Sequence, residues 1–220
     1  MRKPEHTLEP QQARSRESLG KLLKAAVQVL GHHGVAGATI PRIAALAGLT
    51  PGAVYRRFRN KDVLLETAIL RILEDQDKHL RLTLTVETAA EIPLPTLAEQ
   101  FISALVLSYR RNAGLLRAVR QFLQGKEGTS FWKKATKLEM RTFEYVVAVL
   151  VASGGEIKHA DPRAAIALGL VMVVGTLWEV VVSPGDAKLW KGLLPKDDQA
   201  LGRELTRSFL GYLGVDRKAM

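Results

Sequence analysis

A chain of 220 residues with a hydrophobic content of 47% can bury one or two hydrophobic cores. It contains no cysteine, which excludes disulfides, thiolate zinc sites and cysteine nucleophiles and suits a cytoplasmic location. The net charge of +10 is concentrated near the N-terminus, because residues 1–62 hold eleven Lys and Arg against four Asp and Glu. Such a basic block is typical of proteins that bind nucleic acid.

The spacing of apolar residues predicts an all-α protein. Residues 1–14 are expected to form a flexible polar arm, and the two glycines of residues 31–34 are expected to end the first helix. Thr39, Thr50 and Asn60 are each predicted to cap the helix that follows them. In chain order, the first four predicted helices cover residues 15–30, 39–47, 51–58 and 60–79.

The rest of the chain also predicts helices. A break is expected at residues 82–95, since a strand at 83–88 would have no partner strand. Gly114 and its two predecessors are predicted to separate two amphipathic helices, and Asp161 is predicted to cap a later one. In chain order, these predicted helices cover residues 95–111, 113–124, 129–152, 162–182 and 197–213.

The helix predicted at residues 162–182 is the most apolar segment of the chain. Its uninterrupted apolar run, residues 164–178, is bounded by Arg163 and Glu179. This run is shorter than the roughly 20 residues that cross a bilayer. We therefore expect a helix that is buried on all sides rather than a membrane span.

The segments 39–47 and 51–58, joined by a turn at Gly48, predict a helix-turn-helix. Val54 and Phe58 are four residues apart and are expected to pack inward, so that the tip of the second helix faces outward. A helix of this kind reads the major groove of DNA by its N-terminal residues. Similar pairs of short helices also occur in proteins that do not bind DNA. The exposed residues are expected to be Thr50, Pro51, Gly52, Ala53, Tyr55, Arg56 and Arg57.

The side chains at this tip suit different tasks on DNA. Ala53 could contact a thymine methyl group, and an arginine could donate to guanine. Tyr55 and Lys61 could hold phosphates, which fixes the register without reading sequence. The amide ends of the helices that begin after Thr39 and Asn60 could also bind phosphates.

Residues 22–68 resemble the DNA-binding domain of the TetR family of transcriptional regulators. Its marks, in order, are AA followed by a glycine, T-x-x-x-I-A, A-G-[apolar]-T-P-G and Y-x-x-F-x-x-K-[acid]-x-L-L. By this resemblance, Thr39, Thr50, Gly52, Tyr55 and Lys61 match family positions that contact DNA. Arg57 stands where histidine is common, Arg56 stands at a variable position that often faces bases, and Ile40-Pro41 replaces a more polar pair. The complete predicted DNA-contact set is Thr39, Arg42, Thr50, Pro51, Gly52, Ala53, Tyr55, Arg56, Arg57 and Lys61.

The resemblance also implies a domain organisation. A helix-turn-helix domain at residues 15–62, which in the family extends to about residue 76, would precede a ligand-binding and dimerisation domain at residues 63–220. The helices at 162–182 and 197–213 would pair with those of a second copy. The sequence supports this independently, because the first of them is too apolar to face water and DNA half-sites require two reading helices.

A ligand pocket would lie among the helices at 95–111, 113–124, 129–152 and 162–182. It would be mainly apolar, with Arg120 and Glu144 as possible charges, and would suit a small hydrophobic or aromatic molecule. For each candidate taken alone, an ordinary core residue is the favoured interpretation. The candidates are Phe101, Leu105, Tyr109, Phe122, Trp132, Met140, Phe143, Met172 and Trp178.

The sequence shows no pattern of an enzyme: there is no paired-carboxylate site, phosphate loop, nucleophile elbow or metal-ligand spacing. No cofactor and no metal are expected. The predicted function is a homodimeric DNA-binding regulator, most often a repressor in this family, that a small hydrophobic ligand releases from a palindromic operator. Two alternatives remain: a helical protein that binds DNA nonspecifically or acts as an adaptor, and binding of the basic N-terminal third to a membrane surface.

Overall fold

A computed structural model describes residues 8–153, 157–183, 190, 192–195 and 197–215, with side chains from residue 13 onward. Within these ranges the chain is all-α, as predicted, and contains no strand. The helix at Pro162–Leu177 continues directly into a π-helical turn, Trp178–Val182. The helices are α1 (Leu8–Gly37), α2 (Ile40–Leu46), α3 (Pro51–Tyr55), α4 (Lys61–Thr83), α5 (Val86–Ala90), α6 (Leu94–Gln124), α7 (Ser130–Ala152), α8 (Pro162–Leu177) and α9 (Asp198–Tyr212).

Polar side chains cap most of these helices by accepting a hydrogen bond from a first-turn amide. The predicted caps Thr50, Asn60 and Asp161 are confirmed, with the donor amides 3.2, 2.9 and 3.0 Å away. Thr129 and Asp197 act in the same way. The prediction for Thr39 is wrong in this respect: its backbone lies at the cap position, but its side chain makes no capping hydrogen bond.

The first helix is longer than predicted at both ends. It begins at Leu8, so residues 8–14 are helical rather than a flexible arm, while residues 1–7 lie outside the described part. It passes through Gly31 without interruption and breaks at Gly34, where φ is +65°, a conformation that favours glycine. The fourth helix runs to Thr83 and α5 follows almost at once, so residues 83–88 form neither a strand nor an extended break.

Residues 95–111 and 113–124 are not two helices but parts of the single helix α6. Gly114 lies inside α6 where α1 crosses it, and a Cβ atom on Gly114 would overlap the carbonyl oxygen of Gly31. A Cβ atom on Gly31 would in turn lie 3.3 Å from the Cβ atom of Leu115. The two glycines therefore allow the helices to approach closely, and Gly114 does not end a helix.

Buried side chains form two hydrophobic clusters. The first joins α1–α4 and includes Phe122 of α6 and Phe131 of α7. The second joins α5–α9, and Leu80 and Leu84 at the end of α4 pack against it. The helices α4, α6 and α7 therefore contribute to both clusters. Among the described residues, α1 and α6 form the most extensive contact between two helices. The N-terminal domain is thus packed firmly against the C-terminal helices.

Helix α8 differs from prediction in length and in burial. Together with its π-helical turn it spans Pro162–Val182, 21 residues that include an 18-residue window of mean hydropathy 2.3, so length and composition alone would allow a membrane span. The short apolar run therefore does not by itself exclude a membrane span. Only one side of the helix is buried, against α6, α7 and α9, whereas Leu168, Val171 and Met172 are exposed. The opposite face is apolar and uncovered in the single chain. The prediction of a helix buried on all sides is therefore wrong for the single chain.

Two predicted helix ends fall partly outside the described residues. Ser153 follows α7 and Ser183 follows the π-helical turn, as expected. The glycines and the proline predicted next to them, residues 154–155 and 184–185, lie outside the described ranges.

Candidate nucleic-acid interface

Helices α2 and α3 form the predicted helix-turn-helix. The turn between them contains Gly48 at φ +68°, and the amide of Leu49 donates to the carbonyl oxygen of Ala44 at 2.9 Å. This geometry closes the C-terminus of α2 and requires a residue without a Cβ atom at the turn. Val54 is fully buried and Phe58 nearly so, which confirms the inward-facing pair. The anchored pair leaves the N-terminus of α3 facing outward.

Neighbouring elements hold α3, which is only five residues long, in place. Beyond its C-terminus, Arg57 donates from Nη1 and Nη2 to the hydroxyl groups of Ser18 and Ser15 on α1, at 3.5 and 3.3 Å. Lys61 at the start of α4 donates to the carbonyl oxygen of Val35 at 3.1 Å. An isolated helix of this length is unstable in water, so these contacts and the buried pair supply its stability.

The structure separates the ten predicted DNA-contact residues into two groups. The first group consists of Arg42, Arg57 and Lys61, which donate hydrogen bonds within the chain. The contacts of Arg57 and Lys61 are those given above, and Arg42 donates to the carbonyl oxygen of Gly37 at 2.7 Å. The other seven have no side-chain hydrogen bond to a distant part of the described chain. Two of them, Tyr55 and Arg56, carry long polar side chains that are exposed. The other five are Thr39, Thr50, Pro51 and Gly52, which are exposed, and Ala53, which is half-buried.

The charge around the motif is entirely positive for a long stretch. Residues 18–61 contain seven Lys and Arg and no Asp or Glu. The next carboxylates along the chain, Asp62 and Glu66, both pair with Lys126, whose Nζ lies 2.6 and 3.1 Å from their oxygens. The hydrogen bond that Lys126 donates to Asp62 is the main reason that the pKa of Lys126 is raised. Lys126 thus offsets one of these two negative charges, which limits how far they weaken the positive field of the motif.

Lys126 is a residue that sequence reasoning missed. It lies just after α6, 64 residues away from Asp62, and no local pattern connects the two. Only the packing of α6 against the first cluster brings the ammonium group to the start of α4. In the sequence Lys126 is simply a lysine in a loop, and such a residue by itself indicates a solvated charge.

Comparison with known proteins supports the same interpretation. Residues 22–68 match the family of bacterial regulatory proteins of the tetR family. The N-terminal domain is of the TetR family. No curated protein matches the chain.

The whole chain is similar in fold to solved TetR-family structures and to repressors. FadR of Bacillus halodurans, a fatty acid degradation regulator, is 21% identical with a TM-score of 0.64, covering 90% of this chain and 97% of that one. SmeT, the repressor of a Stenotrophomonas maltophilia multidrug efflux pump, is 23% identical with a TM-score of 0.60, covering 92% of each chain. FadR of Bacillus subtilis, solved with stearoyl-CoA, is 16% identical with a TM-score of 0.59, covering 87% and 97%. At these identities the likeness establishes a TetR-family regulator fold.

The predicted ligand-pocket residues do not all come together. Five half-buried residues pack against the second cluster: Phe101, Leu105, Tyr109, Phe143 and Trp178. By contrast, Phe122 belongs to the first cluster, Trp132 is half-buried on α7, and Met140 and Met172 are about half exposed. A pocket that includes all nine residues is therefore not present in the single chain.

Polar groups lie close to two of these five residues, Trp178 and Tyr109. The guanidinium of Arg120 lies 4.3 Å from the ring centre of Trp178, and Arg117 donates to the carbonyl oxygen of Val182 at 2.7 Å. Both contacts join α6 to the π-helical turn of α8, a type of turn that is frequent at functional sites. Burial, and next the nearby charge of Glu139, raise the pKa of Tyr109. Glu144, the other predicted charge, is exposed.

The described residues contain no group of three or more His, Cys, Asp or Glu that could hold a metal ion. The polar groups near the apolar cluster are arginines and a phenol on α6 and carboxylates on α7. The part of the molecule with the clearest functional geometry is therefore the helix-turn-helix.

Proposed function

We propose that this chain is a cytoplasmic, homodimeric repressor that binds a palindromic operator and is released from it by a small, mainly apolar ligand. The observation that carries the proposal is the helix-turn-helix: a short helix with a small, exposed tip, in a stretch without acidic residues, with Tyr55 and Arg56 free to reach a partner. This geometry suits a helix that enters the major groove by its N-terminus.

Each free side chain at the tip has a separate task in this proposal. A Cβ atom at Gly52 would meet no other atom, so the backbone there is open to the approach of DNA. Arg56 is placed to donate to base edges, and Tyr55 to a phosphate. Arg42, Arg57 and Lys61 can turn to phosphates only by giving up their contacts within the chain.

Selection of bound duplexes from a random DNA pool at near-physiological salt tests the proposal. The wild type should enrich one two-fold-symmetric sequence that it prefers over random duplex by roughly 10³ or more. Arg56→Ala should change or relax the enriched sequence, because it removes a base contact. Tyr55→Phe should retain the same sequence and bind all duplexes more weakly, about fivefold for each lost phosphate hydrogen bond.

The controls come from the same surface. Lys61→Ala is a poor control because it also removes the contact with Val35, whereas the phenol of Tyr55 is exposed. If wild type and variants enrich nothing and differ only in salt dependence, the chain is a nonspecific DNA-binding protein. If none of them binds DNA, the chain acts as an adaptor.

Support for a dimer comes from the uncovered face of α8 and α9. Leu168, Val171 and Met172 form an exposed apolar stripe on α8. A Cβ atom at Gly175 of α8 or Gly211 of α9 would meet no other atom, so a second copy could approach both helices closely. Gly169 differs, because the ring of Phe209 from the same chain already packs against it. Two pairs of such helices would form a four-helix bundle around a two-fold axis.

Val171→Glu is expected to make the chain monomeric, because it would place two carboxylates in an apolar interface. Its affinity for the operator should fall by about 10²-fold or more, since each half-site would then be bound separately. Sedimentation and operator titration measure the two effects. The matched control is Val151→Glu, which changes another exposed valine, on α7. A wild type that is monomeric at micromolar concentration, or a Val171→Glu variant that stays dimeric, contradicts the proposal.

Support for an apolar ligand comes from the cluster around Trp178 and from the neighbours in fold. One of them, FadR of Bacillus subtilis, was solved with stearoyl-CoA. A ligand among α6, α7 and α8 would act by favouring a spacing of the two reading helices that misfits the operator, with a coupling free energy of about 1–3 kcal/mol. Helix α4 contributes to both clusters and would transmit the change. The selected operator provides the probe with which ligands can be screened.

A further inference from the structure

We propose that a groove between α1 and α4 is a second binding site, which takes a small amphiphilic anion. The groove lies in the N-terminal domain and is separate from the apolar cluster proposed for the effector. Its volume is about 600 Å³, within the range of about 300–1,000 Å³ that is usual for small-molecule sites. Both the shape and the charge of its walls support this assignment.

The floor of the groove is apolar. Leu19, Leu23 and Val27 of α1 face Ala68 and Ile72 of α4 across it. These side chains are the inward-facing residues of two long helices that diverge enough to leave a cavity between them. A ligand with an apolar body would cover this floor and remove it from water.

Gly20 of α1 also lines the groove. Glycine is the poorest helix former except proline, yet Gly20 lies well inside α1. No crossing helix requires it, because a Cβ atom there would meet nothing within 4 Å, in contrast to Gly31 on the same helix. The consequence of glycine at this position is an unobstructed groove.

The rim of the groove carries an excess of positive charge. Arg71 pairs with Asp75, with 2.9 Å between Nε and Oδ2, so these two charges offset each other. Within the part of the chain that is described, Arg16 and Lys24 also line the groove and pair with no carboxylate. A ligand with one or two negative charges beside its apolar body would match this rim, whereas a cationic ligand would be repelled.

A ligand in the groove would contact both helices that support α3. Arg57, next to α3, is held by Ser15 and Ser18 of α1, and Lys61 begins α4. Binding would therefore stiffen the DNA-reading domain directly. The effect would not have to be transmitted through the C-terminal helices. Slower amide hydrogen exchange in α1 and α4 is the expected sign of this effect.

The test uses two fluorescent probes of similar shape: the anion 1-anilinonaphthalene-8-sulfonate and its uncharged counterpart N-phenyl-1-naphthylamine. Gly20→Leu adds a bulky side chain at the groove, at a position where the Cβ atom meets nothing within 4 Å, and should remove one sulfonate site per chain. Gly20→Ala adds only a methyl group to the same helix and should keep that site. Lys24→Gln should weaken sulfonate binding about three- to fivefold and leave the uncharged probe unaffected.

Amide hydrogen exchange, measured with the sulfonate bound, identifies where on the protein the sulfonate binds. Protection should rise in α1 and α4 of the wild type and should not rise in Gly20→Leu, whose folding is checked by its melting temperature. Equal sulfonate stoichiometry in wild type and Gly20→Leu overturns the proposal. So does an equal loss of both probes in Lys24→Gln, because the groove would then lack any preference for an anion.

Discussion

Replacing Gly114 by alanine is expected to lower the free energy of unfolding by about 3 kcal/mol, the upper end of the usual cost of overpacking an interior. The added Cβ atom would overlap the carbonyl oxygen of Gly31, so α1 and α6 could not keep their present distance. In a chain of 220 residues this corresponds to a fall in melting temperature of roughly 6–12 °C, which calorimetry or circular dichroism measures.

The matched control is Gly20→Ala, a change of the same type inside the helix that crosses α6. Its Cβ atom would meet no neighbour, and alanine favours the helix by about 1 kcal/mol over glycine. We therefore expect an unchanged or slightly raised melting temperature. If Gly114→Ala matched Gly20→Ala in stability, the close approach of α1 and α6 would be refuted.

Gly114 also shows where reading the sequence was misleading. A glycine after Asn112 and Ala113 is a reasonable signal for the end of a helix, and the sequence contains no sign of the helix that crosses it. The crossing partner, Gly31, lies more than eighty residues earlier. Local pattern could therefore locate the helical segment but could not show that its glycine serves a tertiary contact.

Features that depend on neighbouring residues were predictable. Thr50 and Asn60 cap their helices as expected, and Gly48 adopts the positive φ that the turn requires. The exposed tip of α3 followed from the four-residue spacing of Val54 and Phe58, which are both buried. The core of the helix-turn-helix is thus encoded within about twenty consecutive residues.

Features that depend on distant residues were not predictable. Arg57 was assigned to DNA, yet in this structure it bonds to serines about forty residues earlier in the chain. The apolar face of α8 predicted burial, but a single chain supplies partners for one side only. The α1–α4 groove likewise arises from the packing of two helices and has no local signature.

Asp77 is the clearest example of a residue whose role depends on distant residues. It lies in the charged stretch EDQDKH, which suggests a solvated helix face, but its side chain is only 5% exposed. Its Oδ2 accepts hydrogen bonds from Arg81 at 3.0 Å and Arg141 at 2.6 Å, and its Oδ1 accepts one from Thr142 at 3.0 Å. The carboxylate thus fastens α4 to α7.

The second large effect is expected for Asp77→Ala, which should lower the free energy of unfolding by about 3 kcal/mol in denaturant titrations at pH 7. The change removes three charge-assisted or hydroxyl hydrogen bonds. The loss lies at the low end for a broken buried ion pair because the side chains of Arg81 and Arg141 are 37% and 53% exposed and regain water. Asp77→Asn keeps the shape, loses the charge and should show a smaller loss.

The stability that the Asp77 carboxylate contributes should be lost as the pH falls. The hydrogen bond from Arg81 is the main cause that holds the pKa of Asp77 below its ordinary value of 3.8; Thr142 and the two arginine charges add to it, and burial opposes it. A lowered pKa means that the stabilisation is complete above the unfolded-state pKa and is lost as the pH falls through the folded-state value. The gap in stability between wild type and Asp77→Asn should therefore be constant from pH 5 to 7 and shrink below about pH 4.

The Asp77 contact also bears on how α4 would act in regulation. If a ligand among α6, α7 and α8 shifts α4, part of that shift must pass through the contacts of Asp77 with Arg141 and Thr142. Asp77→Asn should then retain operator binding and reduce the coupling between ligand and operator. Arg71→Gln, which removes an exposed ion pair within α4, should leave that coupling unchanged. Full coupling in Asp77→Asn would show that α4 is moved through its other contacts, the α1–α6 crossing among them.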